Sequence, residues 1–153
     1  MVIMVLDADA LIASALARNQ RPMRRETKAA THVPRILIVD DSLTTRTLEK
    51  NILEAHGYLV STCNDGREAL DALQADSAYD LIITDIEMPR MNGFEFTEAV
   101  KSATALRSIP LIIVSSLESN AGRERGMKAG ADAYIVKGEF ETRILLEAVQ
   151  RNL

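Results

Sequence analysis

The chain has 153 residues, of which 47% are hydrophobic and 26% charged, with a net charge of −4. That is enough apolar material for a real core and too little charge for a disordered chain, and a modestly acidic balance argues against nucleic acid as the main partner. The single cysteine, Cys63, excludes an internal disulfide, and no run approaches the ~18 apolar residues of a membrane span.

In chain order, Val2 to Leu6 reads as a short apolar strand, and ADALIASALA (residues 8–17) as a short helix. The start lacks a basic n-region, and Asp7 and Asp9 interrupt it, so it is not a signal peptide. Residues 18–34 are polar and basic, carry Pro22 and Pro34 and lack periodicity; they read as a solvated linker.

From Arg35 the pattern changes. Apolar strand-type runs occur at RILIVD (35–40), YLVSTC (58–63), DLIITD (80–85), PLIIVSS (110–116) and AYIVK (133–137). Helical stretches lie between them. In the first, Ser42 is the expected N-cap, Leu48, Ile52 and Ala55 share the expected buried face, and Gly57 is the stop. In the last, Phe140, Ile144, Leu145, Ala148 and Val149 form the stripe. Cys63 reads as a small buried hydrophobe. His56 suits a helix C-terminus, and His32 lies in the linker.

Strand and helix in alternation predict parallel βαβ units and a doubly wound α/β sandwich. Sites in such sheets form beyond the carboxyl ends of the strands. Asp40, Asp41, Asp85, Ser115 and Lys137 all fall at such ends. Three converging carboxylates repel one another unless a cation intervenes. Mg²⁺ suits them, because it takes oxygen ligands and pairs carboxylates with a phosphate oxygen. Lys137 and Ser115 add a point charge and a hydroxyl, which together make a clamp for a transferring phosphoryl group. Asp85 is then the nucleophile that forms an acyl phosphate.

RILIVDDS, LIITDIEMPRMNG, IPLIIVSS and AGADAYIVK together resemble the receiver domain of two-component response regulators of the chemotaxis type, over residues 35–153. The resemblance implies a flavodoxin-like three-layer sandwich with five parallel strands in the order 2-1-3-4-5. It implies Asp85 as phosphoacceptor, Asp41 as a direct Mg²⁺ ligand, Asp40 as support of the metal through water, and the backbone carbonyl of Glu87 as a further ligand. Ser115 would hydrogen-bond the phosphoryl group, Lys137 would pair with it, and Tyr134 would change rotamer as Ser115 moves. Such a domain takes its phosphoryl group from a phosphohistidine of a histidine kinase and promotes its own phosphorylation and dephosphorylation. It then docks a downstream protein on its fourth helix, fifth strand and fifth helix. The expected location is the cytoplasm, with neither nucleic acid nor membrane as partner.

One position departs from the family pattern. Gly138 stands where proline usually follows the lysine, so a trans Lys137–Gly138 peptide is expected, because cis costs about 3–4 kcal/mol without proline. Two other function classes share such a sheet. A haloacid-dehalogenase-like phosphotransferase or phosphatase wants a second Asp two residues after the nucleophile, where this chain has Glu87. A flavodoxin-like cofactor binder wants a hydroxyl- and glycine-rich phosphate loop after the first strand, where this chain has Asp40-Asp41-Ser42.

No DNA-binding effector is expected after Leu153. Residues 1–17 resemble the tail of the adaptor-like regulatory domain that closes chemotaxis-type histidine kinases, and SLTTRTLEKNILEAHGY resembles receivers fused behind such kinases. The expectation is a hybrid kinase: a domain remnant over 1–17, a basic linker over 18–34 and a receiver over 35–153, with the phosphodonor in the same chain.

Overall fold

The computed structural model describes residues 32–116, 120–137 and 142–153. The strand and helix expected over residues 2–17, most of the linker, and the Lys137–Gly138 peptide with Phe140 lie outside the described residues. Pro34–Leu153 forms one compact unit.

Five strands alternate with five helices in that unit. The strands are β1 (Arg35–Val39), β2 (Leu59–Cys63), β3 (Leu81–Thr84), β4 (Leu111–Ser115) and β5 (Ala133–Val136). The helices are α1 (Leu43–Ala55), α2 (Gly66–Ala75), α3 (Gly93–Ser102), α4 (Asn120–Ala129) and α5 (Thr142–Asn152). All strand pairs are parallel, in the order β2-β1-β3-β4-β5. The sandwich and its strand order are those expected from the sequence.

The sheet separates two cores by the two-residue alternation of its side chains. Leu37, Val39, Ile82 and Ile113 point to one face, where they meet Ala69 and Leu73 of α2 and Phe96 and Val100 of α3. Ile36, Ile38, Leu81, Ile83, Ile112 and Val114 point to the other, where they meet Leu53 of α1 and Leu145 and Val149 of α5. Burial on both faces explains why β1, β3 and β4 are apolar at nearly every position.

Local chemistry sets the helix ends. Ser42 caps α1 by accepting from the Thr45 N–H at 3.3 Å. Gly57 ends it with φ +92°, a left-handed conformation that glycine adopts without steric cost, and His56 Nδ1 lies 3.0 Å from the Ile52 carbonyl oxygen. The buried face of α1 differs from the expected stripe. Glu49 and Leu53 are buried, Ile52 is half-buried, and Leu48 is 49% exposed. A stripe drawn through apolar residues alone misses an inward-facing acid. The helix turns Glu49 toward the polar rim of the sheet. In α5, Leu145, Ala148 and Val149 are buried and Ile144 is half-buried, as the periodicity predicts.

The join between β3 and α3 bears most directly on the site. Asn92 and Glu95 form a reciprocal capping box, at 2.9 and 3.0 Å. The Gly93 N–H then donates to the Ile86 carbonyl at 2.8 Å. A Cβ on Gly93 would overlap the Asp85 carbonyl oxygen and lie 2.8 Å from the Ile86 Cα. Helix α3 therefore docks against the backbone of Asp85 itself. Gly93→Ala must push that backbone aside, and it should destabilise the domain by about 1–3 kcal/mol, measured as a lower urea midpoint with an unchanged m-value.

Candidate functional site

The sheet winds one way from β1 to β2 and the other way from β1 to β3, so a crevice opens beyond the carboxyl ends of β1 and β3. Asp40 follows β1 and Asp85 follows β3. Both backbones are pinned by the ladder: the Asp40 N–H donates to the Cys63 carbonyl at 3.1 Å, and the Asp85 N–H to the Val39 carbonyl at 2.8 Å. Carboxylate oxygens of Asp40, Asp41 and Asp85 lie within 4.8 Å of one another. Asp40 is 2% exposed and Asp85 8%, whereas Asp41 faces solvent.

Lys137 reaches in from the end of β5, and its Nζ lies 3.2 Å from Asp40 Oδ2 and 3.5 Å from Asp85 Oδ1. Asp40 Oδ1 also accepts from the Ser42 N–H at 2.8 Å, and its carbonyl accepts from Arg46 at 2.7 Å. Ser115 ends β4, is buried, and sits in register opposite Val136, the residue before Lys137. The rim residues expected from the sequence are thus gathered at one end of the sheet. Glu87 lies two residues beyond Asp85 in the loop to α3, with its side chain exposed. Tyr134 is only 8% exposed. Its ring packs where a Cβ on Gly126 would come within 3.0 Å, Arg123 lies over its face, and its carbonyl accepts from Arg123 at 3.3 Å.

The charges press on one another. Burial, then Asp40, pushes the Asp85 carboxyl up to about 6, against the pull of Lys137 and the Ile86 N–H. Burial lowers the affinity of Lys137 for its proton, but Asp85 and Asp40 together outweigh it, and the ammonium is held above its ordinary range. The largest shift belongs to a residue absent from the sequence-derived site. Glu49, on the inner face of α1 and 2% exposed, is pushed up to about 8, first by burial and then by Asp40, with Lys137 opposing and Asp85 adding. It shares a cavity of about 190 Å³ with Thr45, Leu48 and Lys137. The signal in the sequence was an acid four residues before Leu53, on the face that the sheet covers.

The matched family is the response regulator receiver domain, over residues 36–150. The chain belongs to the response regulator receiver family. It is similar to the gliding motility regulatory protein of Myxococcus xanthus, 42% identical over 134 residues that make 84% of this chain and 17% of that protein. It is similar to the sensor histidine kinase CheAY of Helicobacter pylori, 33% identical over 119 residues, 75% of this chain and 15% of that one. The chain thus spans about one sixth of either relative. Among solved structures, the response regulator TrrA of Thermotoga maritima in complex with Mg(2+)-BeF is 34% identical with a TM-score of 0.71, over 79% of this chain and all of that one.

The chain is therefore a receiver domain of two-component signal transduction, and both rival classes give way to it. Receiver domains bind Mg²⁺ at an acidic pocket and work with histidine kinases and downstream targets. The cluster fits a hard divalent cation: three carboxylates offer oxygen donors at close quarters, and the single lysine among them touches only two. No helix among the described residues is long and apolar enough to cross a membrane.

A pH dependence follows from the two raised carboxyls. The fold favours their protonated forms, so their stabilisation is intact at low pH. For Asp85 it is lost as pH rises from its ordinary 3.8 through about 6, and for Glu49 from 4.5 through about 8. Without divalent metal, the melting temperature should fall as pH is raised from about 5 to about 8.5. Glu49→Gln should remove the fall above about pH 6 and shallow it below, where Asp85 alone still titrates. Calorimetry across that range checks it, and parallel curves for the two proteins would remove Glu49 as the cause.

Proposed function

We propose that Asp85 accepts the phosphoryl group, that Asp40, Asp41 and the Glu87 carbonyl hold Mg²⁺ with it, and that Ser115 and Lys137 bind the phosphoryl oxygens. The observation that carries this reading is the meeting of Asp40, Asp41 and Asp85 with Lys137 beyond β1 and β3. Held there by Asp40, Asp41 and Asp85, Mg²⁺ would supply the charge that lets three crowded carboxylates ionise together beside a phosphoryl oxygen. An Asp85 carboxylate oxygen attacks phosphorus, the bond from phosphorus to the donor imidazole nitrogen breaks, and the nitrogen keeps the electron pair. Lys137 exchanges its contact with Asp85 for one with a phosphoryl oxygen, and the Ser115 hydroxyl donates to another. Movement of Ser115 then reaches Tyr134, which stands on β5 with its ring against Gly126 of α4, and alters the α4–β5–α5 surface on which a downstream protein docks.

The phosphodonor is a histidine kinase, and we place it in the same natural chain. Support comes from the two long relatives, one of them a sensor histidine kinase, of which the matched region is a small part. A tethered donor reaches an effective concentration of roughly millimolar through a short flexible linker. On this reading residues 1–17 belong to a neighbouring regulatory domain and residues 18–34 are the tether.

Two measurements test these assignments. Asp85→Asn should abolish the mass gain that a small phosphodonor and Mg²⁺ produce in the wild-type chain, because an amide is a poor nucleophile. Asp41→Asn should slow the same labelling and weaken Mg²⁺ binding; labelling of Asp85→Asn at the wild-type rate would place the phosphoacceptor elsewhere. Removal of residues 1–34 should leave melting temperature and labelling nearly unchanged, and a large loss of stability would make the segment part of the receiver fold and defeat the fusion reading.

A further inference from the structure

The loop from Asp85 to Asn92 has to hold its shape between β3 and α3 while carrying the site. One anchor has been described, the Gly93 N–H on the Ile86 carbonyl. The other lies at its far side. Arg90 has φ +67°, the sole non-glycine residue with positive φ among the described residues. Arginine gains nothing from that backbone conformation, since its Cβ crowds the following carbonyl. Something must hold it there.

The partner is Asp65, the N-cap of α2. Arg90 Nε and Nη2 donate to Asp65 Oδ2 at 3.0 and 2.8 Å. Asp65 Oδ1 is already engaged by the Glu68 N–H at 2.9 Å. The carboxylate is buried, and the arginine is largely exposed. Burial works against ionisation of Asp65, but the backbone N–H groups of α2 and the Arg90 guanidinium outweigh it and hold the carboxyl below its ordinary range. A second contact runs beside the first. A Cβ on Gly66 would lie 3.0 Å from Met91 Cγ and 3.2 Å from the Met91 carbonyl oxygen, so the first turn of α2 rests on the residue after Arg90. The N-terminus of α2 therefore grips the loop at two successive residues, three and four positions beyond Glu87. Helix capping alone accounts for neither the arginine nor its backbone.

We infer that Asp65 and Arg90 are positioning residues that fix the β3–α3 loop and thereby set the affinity of the site for Mg²⁺. The inference rests on the reading above, in which the Glu87 carbonyl belongs to the metal shell. With the pair intact, the carbonyl is presented without reorganisation. With the pair broken, the far side of the segment rests only on the packing of Met91 against Gly66, and the metal must order what the pair held.

The test uses Asp65→Asn, Arg90→Ala, Arg90→Gly and the Asp65→Asn/Arg90→Ala double variant of the full chain. Asparagine caps a helix as well as aspartate does, so Asp65→Asn keeps the α2 cap while replacing the oxygen that accepts from Arg90 with an NH2 group. Glycine relieves the left-handed backbone, so Arg90→Gly should melt higher than Arg90→Ala while lacking the same clamp. Mg²⁺ affinity is read by titration calorimetry and stability by thermal unfolding. Each single variant should raise the Mg²⁺ Kd by about three- to tenfold. The double variant should be no weaker than the worse single one, because both remove one interaction. A Kd at the wild-type value in Arg90→Gly and Asp65→Asn overturns the inference, as do losses that add in the double variant. A wild-type chain that binds Mg²⁺ and is labelled on Asp85 while the variants keep its Kd overturns this inference alone. A wild-type chain that binds no Mg²⁺ overturns it together with the reading on which it rests.

Discussion

Like charges brought together at the ends of β1 and β3 are the constraint on which the rest of the structure depends. Asp40 and Asp85 directly follow neighbouring strands, both nearly buried, with Asp41 beside them in solvent. Such an arrangement works against the fold unless compensating charge is near. The fold supplies part of it. Lys137 comes across from β5, the Ser42 N–H turns back onto Asp40, and Arg46 takes the Asp40 carbonyl. Burial, and then the charge of Asp40 that is left uncompensated, still raise the Asp85 carboxyl.

Holding charges in an unfavourable place requires rigid supports, and these are found just outside the site. The parallel ladder pins the backbones of Asp40 and Asp85. Gly93 lets α3 dock on the Asp85 carbonyl, where any side chain would overlap it. Asp65 and Arg90 tie the next loop to α2. Each support spends some local stability on a glycine in a helix, a left-handed arginine or a buried carboxylate. All of these compromises lie at the carboxyl edge of the sheet.

The sandwich was legible in the sequence because burial on two faces writes itself as unbroken apolar runs. The ends of those runs located Asp40, Asp41, Asp85, Ser115 and Lys137 before any coordinate. The strand order came from resemblance to a known family, not from the pattern of the residues. What stayed hidden depended on side chains that break the apolar code. The stripe through Leu48, Ile52 and Ala55 assumed that a buried helix face is apolar, and α1 instead buries Glu49 and leaves Leu48 half in solvent. The pairing of Asp65 with Arg90 spans twenty-five residues and has no local signature. Arg90 sits within MPRMNG, where its neighbours mark a turn but not its partner.

Glu49 shows why the missed residue matters to the logic of the site. A fourth acid behind three others raises the energy of the all-ionised state further, and its proton is held to about pH 8 mainly by burial and Asp40. A protonated carboxyl is a neutral neighbour for Lys137, so near neutral pH the lysine remains committed to Asp40 and Asp85 rather than drawn back toward α1. Apart from the lysine, the cavity that Glu49 and Lys137 share is lined by Thr45, Leu48 and Glu49 of α1. Ionised, Glu49 would compete for the ammonium from that side. Kept neutral, it leaves the charge of Lys137 to Asp40 and Asp85. Burial of one unpaired acid thus follows from the same economy of charge that crowds the other three.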